Sequence, residues 1–113
     1  MADIINLCEH DIVLVLTNGD HHTFKGCSKE NVARVASTTH SVMCIDDVVE
    51  VGCVVFGEPV NVPAPCEGTF FIVSLMLRAA MPQRKDLLSP DTGATAIRVN
   101  GQVQAVRRFI CNL

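Results

Sequence analysis

Arginine side chains gather in the last third of the chain, where their chemistry is that of anion binding. Residues 1–77 hold three Lys or Arg against ten Asp or Glu, whereas residues 78–113 hold six against two. Arginine forks bind the oxygens of phosphates and carboxylates, and nearby aspartates accept hydrogen bonds from ribose hydroxyls or base amines. The alternative is a structural pair, because surface ion pairs are common; it would join Arg84 to Asp86 or Arg98 to Asp91. The candidate ligand-binding residues here are Arg84, Asp86, Asp91, Arg98 and Arg107.

Two further polar groups precede the first long apolar stretch. Asn6 supplies an amide and His10 an imidazole. Both are candidate ligand-binding residues that would meet the arginines across a sheet. The alternative for His10 is a turn or core hydrogen-bonding group.

Motifs for catalysis and for metal binding are weak. Residues 91–94 spell Asp-Thr-Gly-Ala, the tetrapeptide of retroviral-type aspartic proteases, but Pro90 precedes it and only twenty residues or so follow, so a turn is favoured. No G-x-S-x-G elbow surrounds Ser74, and the phosphate-binding glycine motifs are missing. Cys8-x-His10 with His21-His22 is a poor match to zinc spacing. We therefore expect no enzyme, no cofactor and no metal.

Short strands separated by turn residues must position these groups. Asn18-Gly19, Asp46-Asp47 and Asn100-Gly101 predict three hairpins, and residues 31–37 predict a further strand. Prolines make residues 57–68 a stiff loop, and residues 82–93 are also predicted as loop. Residues 74–81 predict the one helix, with Ser74 as its N-cap. The sequence thus predicts a single domain, 1–113, of mainly β or α+β class, a small barrel or sandwich of mostly antiparallel strands.

Composition narrows the location and the partners. The longest apolar run, Phe70–Leu77, is far shorter than the roughly 20 residues that cross a bilayer, and no secretory signal opens the chain. We therefore expect a cytoplasmic protein with no membrane contact and with six reduced cysteines. A net charge of −3 argues against coating duplex nucleic acid. Surplus apolar surface predicts a homo-oligomer.

The ordered motifs along the chain resemble a family of small proteins of tailed bacteriophages and prophages. That family opens N-L-T-P-H and continues with V-A-R-V, P-x-P-x-E-G-T-x-Y-I-V-S and R-x-D. Here Cys8-Glu9 replaces Thr-Pro and Phe71 replaces the usual Tyr, which puts a tyrosine hydroxyl role in doubt. The matching motifs are Asn6-Leu7 with His10, Val32-Ala33-Arg34-Val35, Pro63-x-Pro65-x-Glu67-Gly68-Thr69, Ile72-Val73-Ser74, Arg84-x-Asp86 and Val103-x-x-x-Arg107. Carried onto this chain, the family's polar positions are Asn6, His10, Arg34, Glu67, Ser74, Arg84, Asp86 and Arg107.

Three functional hypotheses follow. In size, origin and charge the chain is similar to phage proteins that sequester cyclic nucleotide or cyclic ADP-ribose signals of bacterial defence, so the first is a nucleotide-binding sponge in the host cytoplasm. It would bind a small nucleotide-type ligand without turnover, which fits the missing catalytic motifs. The second is a non-catalytic interaction or structural protein that binds another protein through a sheet edge or an apolar patch. The third is a phosphodiesterase or nucleosidase that uses His10 with a carboxylate.

Overall fold

The computed structural model describes residues 2–113. Within this range there are ten strands and one short α-helix. The strands and the helix are β1 (Asp3–Asn6), β2 (Ile12–Val15), β3 (His21–Phe24), β4 (Ser37–Ile45), β5 (Val49–Phe56), β6 (Thr69–Ile72), α1 (Leu75–Ala80), β7 (Leu87–Pro90), β8 (Ile97–Val99), β9 (Gln102–Ala105) and β10 (Phe109–Cys111). A 3-10 turn covers Lys29–Asn31. The prediction of a mainly β chain with one short helix is confirmed.

A four-stranded sheet in the order β1-β6-β7-β10 holds the core. The pairs β1–β6 and β6–β7 are parallel, and β7–β10 is antiparallel. Parallel neighbours need a crossover connection, which α1 supplies between β6 and β7. The buried cluster that forms the core consists of Ala33, Phe71, Val73, Leu77 and Leu87.

Both ends of α1 are capped by side chains. The Ser74 hydroxyl accepts a hydrogen bond from the Leu77 N–H at 3.2 Å, which confirms the predicted cap. At the other end, the Asn112 side-chain nitrogen donates to the carbonyls of Arg78, Met81 and Arg84 at 2.9–3.1 Å. A helix of six residues gains little from its own backbone bonds, so these caps and the core contact of Leu77 stabilise it.

The first and the last of the predicted hairpins are also confirmed. β2 pairs with β3, and β8 pairs with β9 around Asn100 and Gly101, whose φ angles of 54° and 80° fit a type I′ turn. The two hairpins join through a parallel bridge between Leu14 and Val106. The end of β9 is thereby fixed beside β2.

The second predicted hairpin, β4–β5, projects from the rest of the molecule, and we call it the arm (residues 37–56). Within the described residues its two strands pair with each other and with no other strand. The radius of gyration is 16.7 Å, whereas a compact domain of this length has about 13 Å. The longest dimension of the molecule is 55 Å, which fits an elongated shape.

Three expectations on the fold are corrected. The strand over residues 31–37 is wrong: Asn31 ends the 3-10 turn, Arg34 forms a single isolated bridge with Val60, and the strand begins only at Ser37. Residues 82–93 are not all loop, since β7 lies within them and is central to the sheet. A barrel is not formed, because none of the sheets in residues 2–113 closes. No helix in this range is long and apolar enough to cross a membrane.

Candidate functional site

Arg84 and Asp86 form a bidentate ion pair just before β7. The Arg84 Nε donates to Asp86 Oδ1 and its Nη2 donates to Oδ2, both at 2.8 Å. The same Nη2 donates to the Pro63 carbonyl at 2.9 Å, which ties the proline-rich loop to the core. Both side chains are largely buried. The structural ion pair that the sequence offered as an alternative is therefore formed, and each of its two charges has its partner within the chain.

Asp91 is buried at the end of β7 and organises the following turn. Its carboxylate accepts hydrogen bonds from the Gly93 N–H at 3.0 Å, the Thr95 hydroxyl at 3.3 Å and the Arg108 Nε at 2.6 Å. Its ion-pair partner is Arg108 and not Arg98. Arg98 instead donates a hydrogen bond to the carbonyl of Thr92. The protease-like tetrapeptide is thus a hydrogen-bonded turn, as its proline and glycine suggested.

Hydrogen bonds hold the pKa of both aspartates below the ordinary value. For Asp86 the main cause is the Arg84 guanidinium, and for Asp91 it is the Arg108 guanidinium, followed by the Gly93 N–H. Burial opposes the shift in each case, because it disfavours the charged carboxylate. Both groups are therefore charged at neutral pH.

We expect acid to destabilise the fold through these two carboxylates. A depressed native pKa gives stability that is fully present above the unfolded-state value of about 3.9 and is lost as pH falls through the native pKa. Melting temperatures measured from pH 7 to pH 2 should therefore drop most steeply below about pH 4. Asp91→Asn should flatten that drop, whereas Asp20→Asn, at an exposed turn, should leave it unchanged. An equally steep drop in Asp91→Asn would contradict this origin.

Asn6 is buried at the end of β1 and bonds to three backbone groups. Its Nδ2 donates to the carbonyls of His10 and Phe24 at 2.9 and 3.0 Å, and its Oδ1 accepts from the Cys8 N–H at 2.9 Å. The amide therefore fixes the turn after β1 and links it to β3. The His10 side chain lies exposed on that turn.

The remaining predicted site residues lie on separate elements. Ser74 caps α1, and exposed Arg34 donates from Nη2 to the Lys29 carbonyl at 2.7 Å. Glu67 is exposed in the loop before β6, and Arg107 is exposed just after β9. Within residues 2–113 no hydrogen bond joins these four residues to one another. The ten predicted residues are thus brought together as the Arg84–Asp86 pair, as the Asp91 turn beside Arg98, and as Asn6 with the His10 carbonyl, and these groupings lie on different elements.

An open cavity of about 130 Å³ lies between β2 and β9. Sites for drug-sized ligands are usually about 300–1,000 Å³. The one charged residue among those that line it is Asp11, whose pKa is lowered mainly by the Gly26 N–H that donates to it at 2.8 Å. A negative carboxylate disfavours an anion there. The lining residues are Asp11, Ile12, Val13, Pro90, Thr92, Val103, Gln104, Ala105 and Val106.

The arm carries the most distinctive surface of the molecule. A bulge between Ser41 and Met43 changes which residues of β4 point to each face of the arm. As a result, Met43 and Ile45, which lie beyond the bulge, share a face with alternate residues of β5. We call this set the arm face, and Thr38 and His40 continue it toward the root of the arm. The arm face consists of Met43, Ile45, Val49, Val51, Cys53 and Val55.

The arm face is apolar and open to solvent. Met43 is 58% exposed and Val49 is 51% exposed, and only Val51 is half-buried. The opposite face of the arm is more polar, because it carries a hydrogen bond from the Ser41 hydroxyl to Glu50. Sequence reasoning predicted both strands but not this exposure. Its one sequence signal is the run Val51–Phe56, which has no polar side chain on either alternating face although, within the described residues, no other strand pairs with the hairpin.

The residues considered for zinc do not converge. Within residues 2–113 no group of three or more His, Cys, Asp or Glu side chains is placed to hold a metal ion. The His22 ring packs edge-on against Phe24 at 4.5 Å between centroids.

No family of protein sequences, no curated protein and no solved structure matches the chain. Its function therefore has to be inferred from the contacts described above. Those contacts pair the carboxylates of Asp86 and Asp91 with arginines of the same chain. They leave the apolar arm face uncovered.

Proposed function

We propose that this chain is a non-catalytic interaction protein that binds a protein partner through the arm face. The observation that carries the proposal is an arm face with five exposed side chains and one half-buried one, Val51, on one side of a projecting two-stranded ribbon. Large contiguous exposed apolar patches are rare on monomeric proteins and usually mark interaction sites. The expected homo-oligomer is one form that such binding can take.

The stability of the arm supports this proposal. An isolated two-stranded hairpin is marginally stable in water, and a further layer or strand is needed for independent stability. The turn at the tip is well formed, since Asp46 and Asp47 adopt φ angles of 53° and 58° and Val48 N–H donates to the Ile45 carbonyl at 3.1 Å. Local turn chemistry thus builds the ribbon, and a partner would supply the missing layer.

Two cysteines of the arm provide a built-in test. Cys53 lies on the arm face and Cys44 on the opposite face, and both are free and exposed. We expect a thiol reagent added to cells that naturally express the chain to label Cys53 at least tenfold more slowly than Cys44. Cleavage at Asp47 and Glu50 separates the two cysteines, so isotope-coded alkylation and mass spectrometry can measure both in the unaltered protein.

The control for this labelling is the unfolded protein, in which the two thiols should react alike. A second control is Val55→Lys, which puts a charge on the arm face and should restore the labelling of Cys53 in cells. Equal labelling of Cys53 and Cys44 in the native protein in cells would overturn the proposal.

Sequestration of a nucleotide-type ligand, as in the phage proteins considered above, stays our second proposal. In its favour, the side chains of Arg98 and Arg107 are exposed and near the Asp91–Arg108 pair in sequence. A ligand at about 100 times its dissociation constant adds about 2.7 kcal/mol to the free energy of unfolding. Melting with a panel of linear and cyclic nucleotides should therefore show a shift that Arg107→Gln reduces, and no shift across the panel would end this proposal.

A further inference from the structure

We propose that the partner covering the arm face is a second copy of this chain, packed arm against arm about a two-fold axis with the two arms antiparallel. This inference rests on the proposed function, because it also requires the arm face to be a binding surface. It adds the identity of the partner, the direction of packing and the residues that set the direction.

The charges along the arm are sorted between its tip and its root. The tip carries Asp46 and Asp47, and the arm holds no Lys or Arg. Its ladder continues toward the body through a hydrogen bond from Gly57 N–H to the Ala36 carbonyl at 2.8 Å and then through the Arg34–Val60 bridge. Arg34 is therefore an exposed cation at the root.

This sorting favours antiparallel arms. At about 3.3 Å per residue, the eleven steps from Arg34 to Ile45 span roughly 35 Å. This distance separates the acidic tip of the arm from Arg34 at its root. When two arms lie antiparallel, each acidic tip comes to the other copy's root, where the cations Arg34 and Lys29 lie among the acidic Glu30 and Glu58, so the tip carboxylates do not meet each other. Parallel arms would instead bring the four tip carboxylates together, and like charges in contact are unfavourable.

The arm face can pack against itself. It carries no ionised Asp, Glu, Lys or Arg, so a second arm face removes apolar surface from water without desolvating such a charge. Two ribbons packed face to face form a four-stranded sandwich about 10 Å thick. At the root of the face, the Thr38 hydroxyl and the His40 Nε2 lie 3.1 Å apart and share a hydrogen bond, so these polar groups have a partner within the arm.

Face packing is favoured over pairing through the edge of β4. The bulge between Ser41 and Met43 interrupts the ladder of β4, and bulges at an edge protect it from adding another strand. A two-fold axis through the middle of the arm passes close to Cys53, which lies midway between the tip residue Asp47 and the root residue Val60 in sequence. The two copies of Cys53 should then face each other.

The test measures self-association of the purified full chain by analytical ultracentrifugation between about 1 and 200 µM, a range that spans micromolar dissociation constants. We expect a concentration-dependent rise in mass from 12.2 kDa toward twice that value. Val55→Lys, on the arm face, should weaken association at least tenfold, whereas Val54→Lys, on the opposite face of the same strand, should leave it within twofold. The two valines are similarly exposed, at 48% and 56%, so the variants are matched in residue type and burial.

Two measurements test the direction of the arms. A short bismaleimide should link Cys53 of one copy to Cys53 of the other, and not Cys44 to Cys44. Arg34→Gln and Asp47→Asn should each weaken association about two- to fivefold, and the double variant should lose little more than either single one, as coupled charges do. Asparagine tolerates the left-handed backbone at position 47.

The outcomes separate this inference from the proposed function. A purified chain that stays monomeric at 200 µM, or that associates equally well as Val55→Lys, overturns the second copy as partner. If Cys53 is nevertheless protected in cells, the proposed function stands and the arm binds a different protein. A third outcome concerns the direction of the arms. If Val55→Lys weakens association, but Cys53 does not link to Cys53 and Arg34→Gln has no effect, the antiparallel arrangement is overturned.

Discussion

Leu77→Ala is expected to lower the free energy of unfolding by about 2–5 kcal/mol, as buried leucine-to-alanine changes do. Leu77 has no solvent exposure and belongs to the core cluster with Phe71, Val73 and Leu87. The change removes buried apolar surface and leaves a cavity between α1 and the sheet. Stabilities of single domains are about 5–15 kcal/mol, so this is a large part of the total. Thermal melting followed by circular dichroism should show a midpoint lower by about 10 °C or more.

The same substitution two positions earlier is a matched control. Leu75 lies in the same helix and is 63% exposed, so Leu75→Ala keeps the gain in helix propensity without opening a cavity. We expect the stability of Leu75→Ala to stay within about 0.5 kcal/mol of the parent. Equal losses in the two variants would mean that α1 does not pack in the described orientation.

The parts of the fold that depend on local chemistry were predictable from the sequence. Asn100-Gly101 and Asp46-Asp47 supply residues that tolerate positive φ, and Ser74 is a good helix cap, so the hairpins and the helix were placed close to their observed positions. β7 was not, because its pattern is short and charged residues and prolines flank it. Its partners β6 and β10 come from distant parts of the chain, and pairing with them decides that it is a strand.

The candidate site shows the same division. Arginines and aspartates in residues 78–113 were recognised as chemically important, and the Arg84–Asp86 pair was weighed as a structural alternative because the two residues are near in sequence. The partner of Asp91 is seventeen positions away, and the register of β7 with β10 brings Arg108 to it instead of the nearer Arg98. Composition identifies the groups, but only the tertiary pairing shows which charges are engaged.

The exposed arm was the least predictable feature. Its valines and its isoleucine favour β-structure equally in a buried strand and in an exposed one. Burial depends on whether another element packs above the strand, and no local pattern specifies that absence. An unusual run that is apolar on both faces, such as Val51–Phe56, is the feature that could have indicated it.

Asn6→Ala is expected to lower the free energy of unfolding by at least about 2 kcal/mol, although it removes only a small polar side chain. Asn6 is 5% exposed, and its amide satisfies the Cys8 N–H and the carbonyls of His10 and Phe24. Alanine leaves these three groups without that partner, and burying an unpaired backbone group costs about 1–3 kcal/mol. Chemical denaturation should give the loss, and hydrogen exchange should show faster exchange at the Cys8 amide.

Asn31→Ala is the control for this change, because Asn31 is exposed and its side chain bonds only to the Ser28 hydroxyl, which water can replace. Its expected effect is within about 0.5 kcal/mol. The pair of variants also distinguishes the predicted ligand-binding role of Asn6 from the structural role that its hydrogen bonds indicate. A ligand-binding amide would lose affinity for a nucleotide while the empty protein kept its stability. A structural amide loses stability with no ligand present, and we expect the second result because both ends of the amide already bind the backbone.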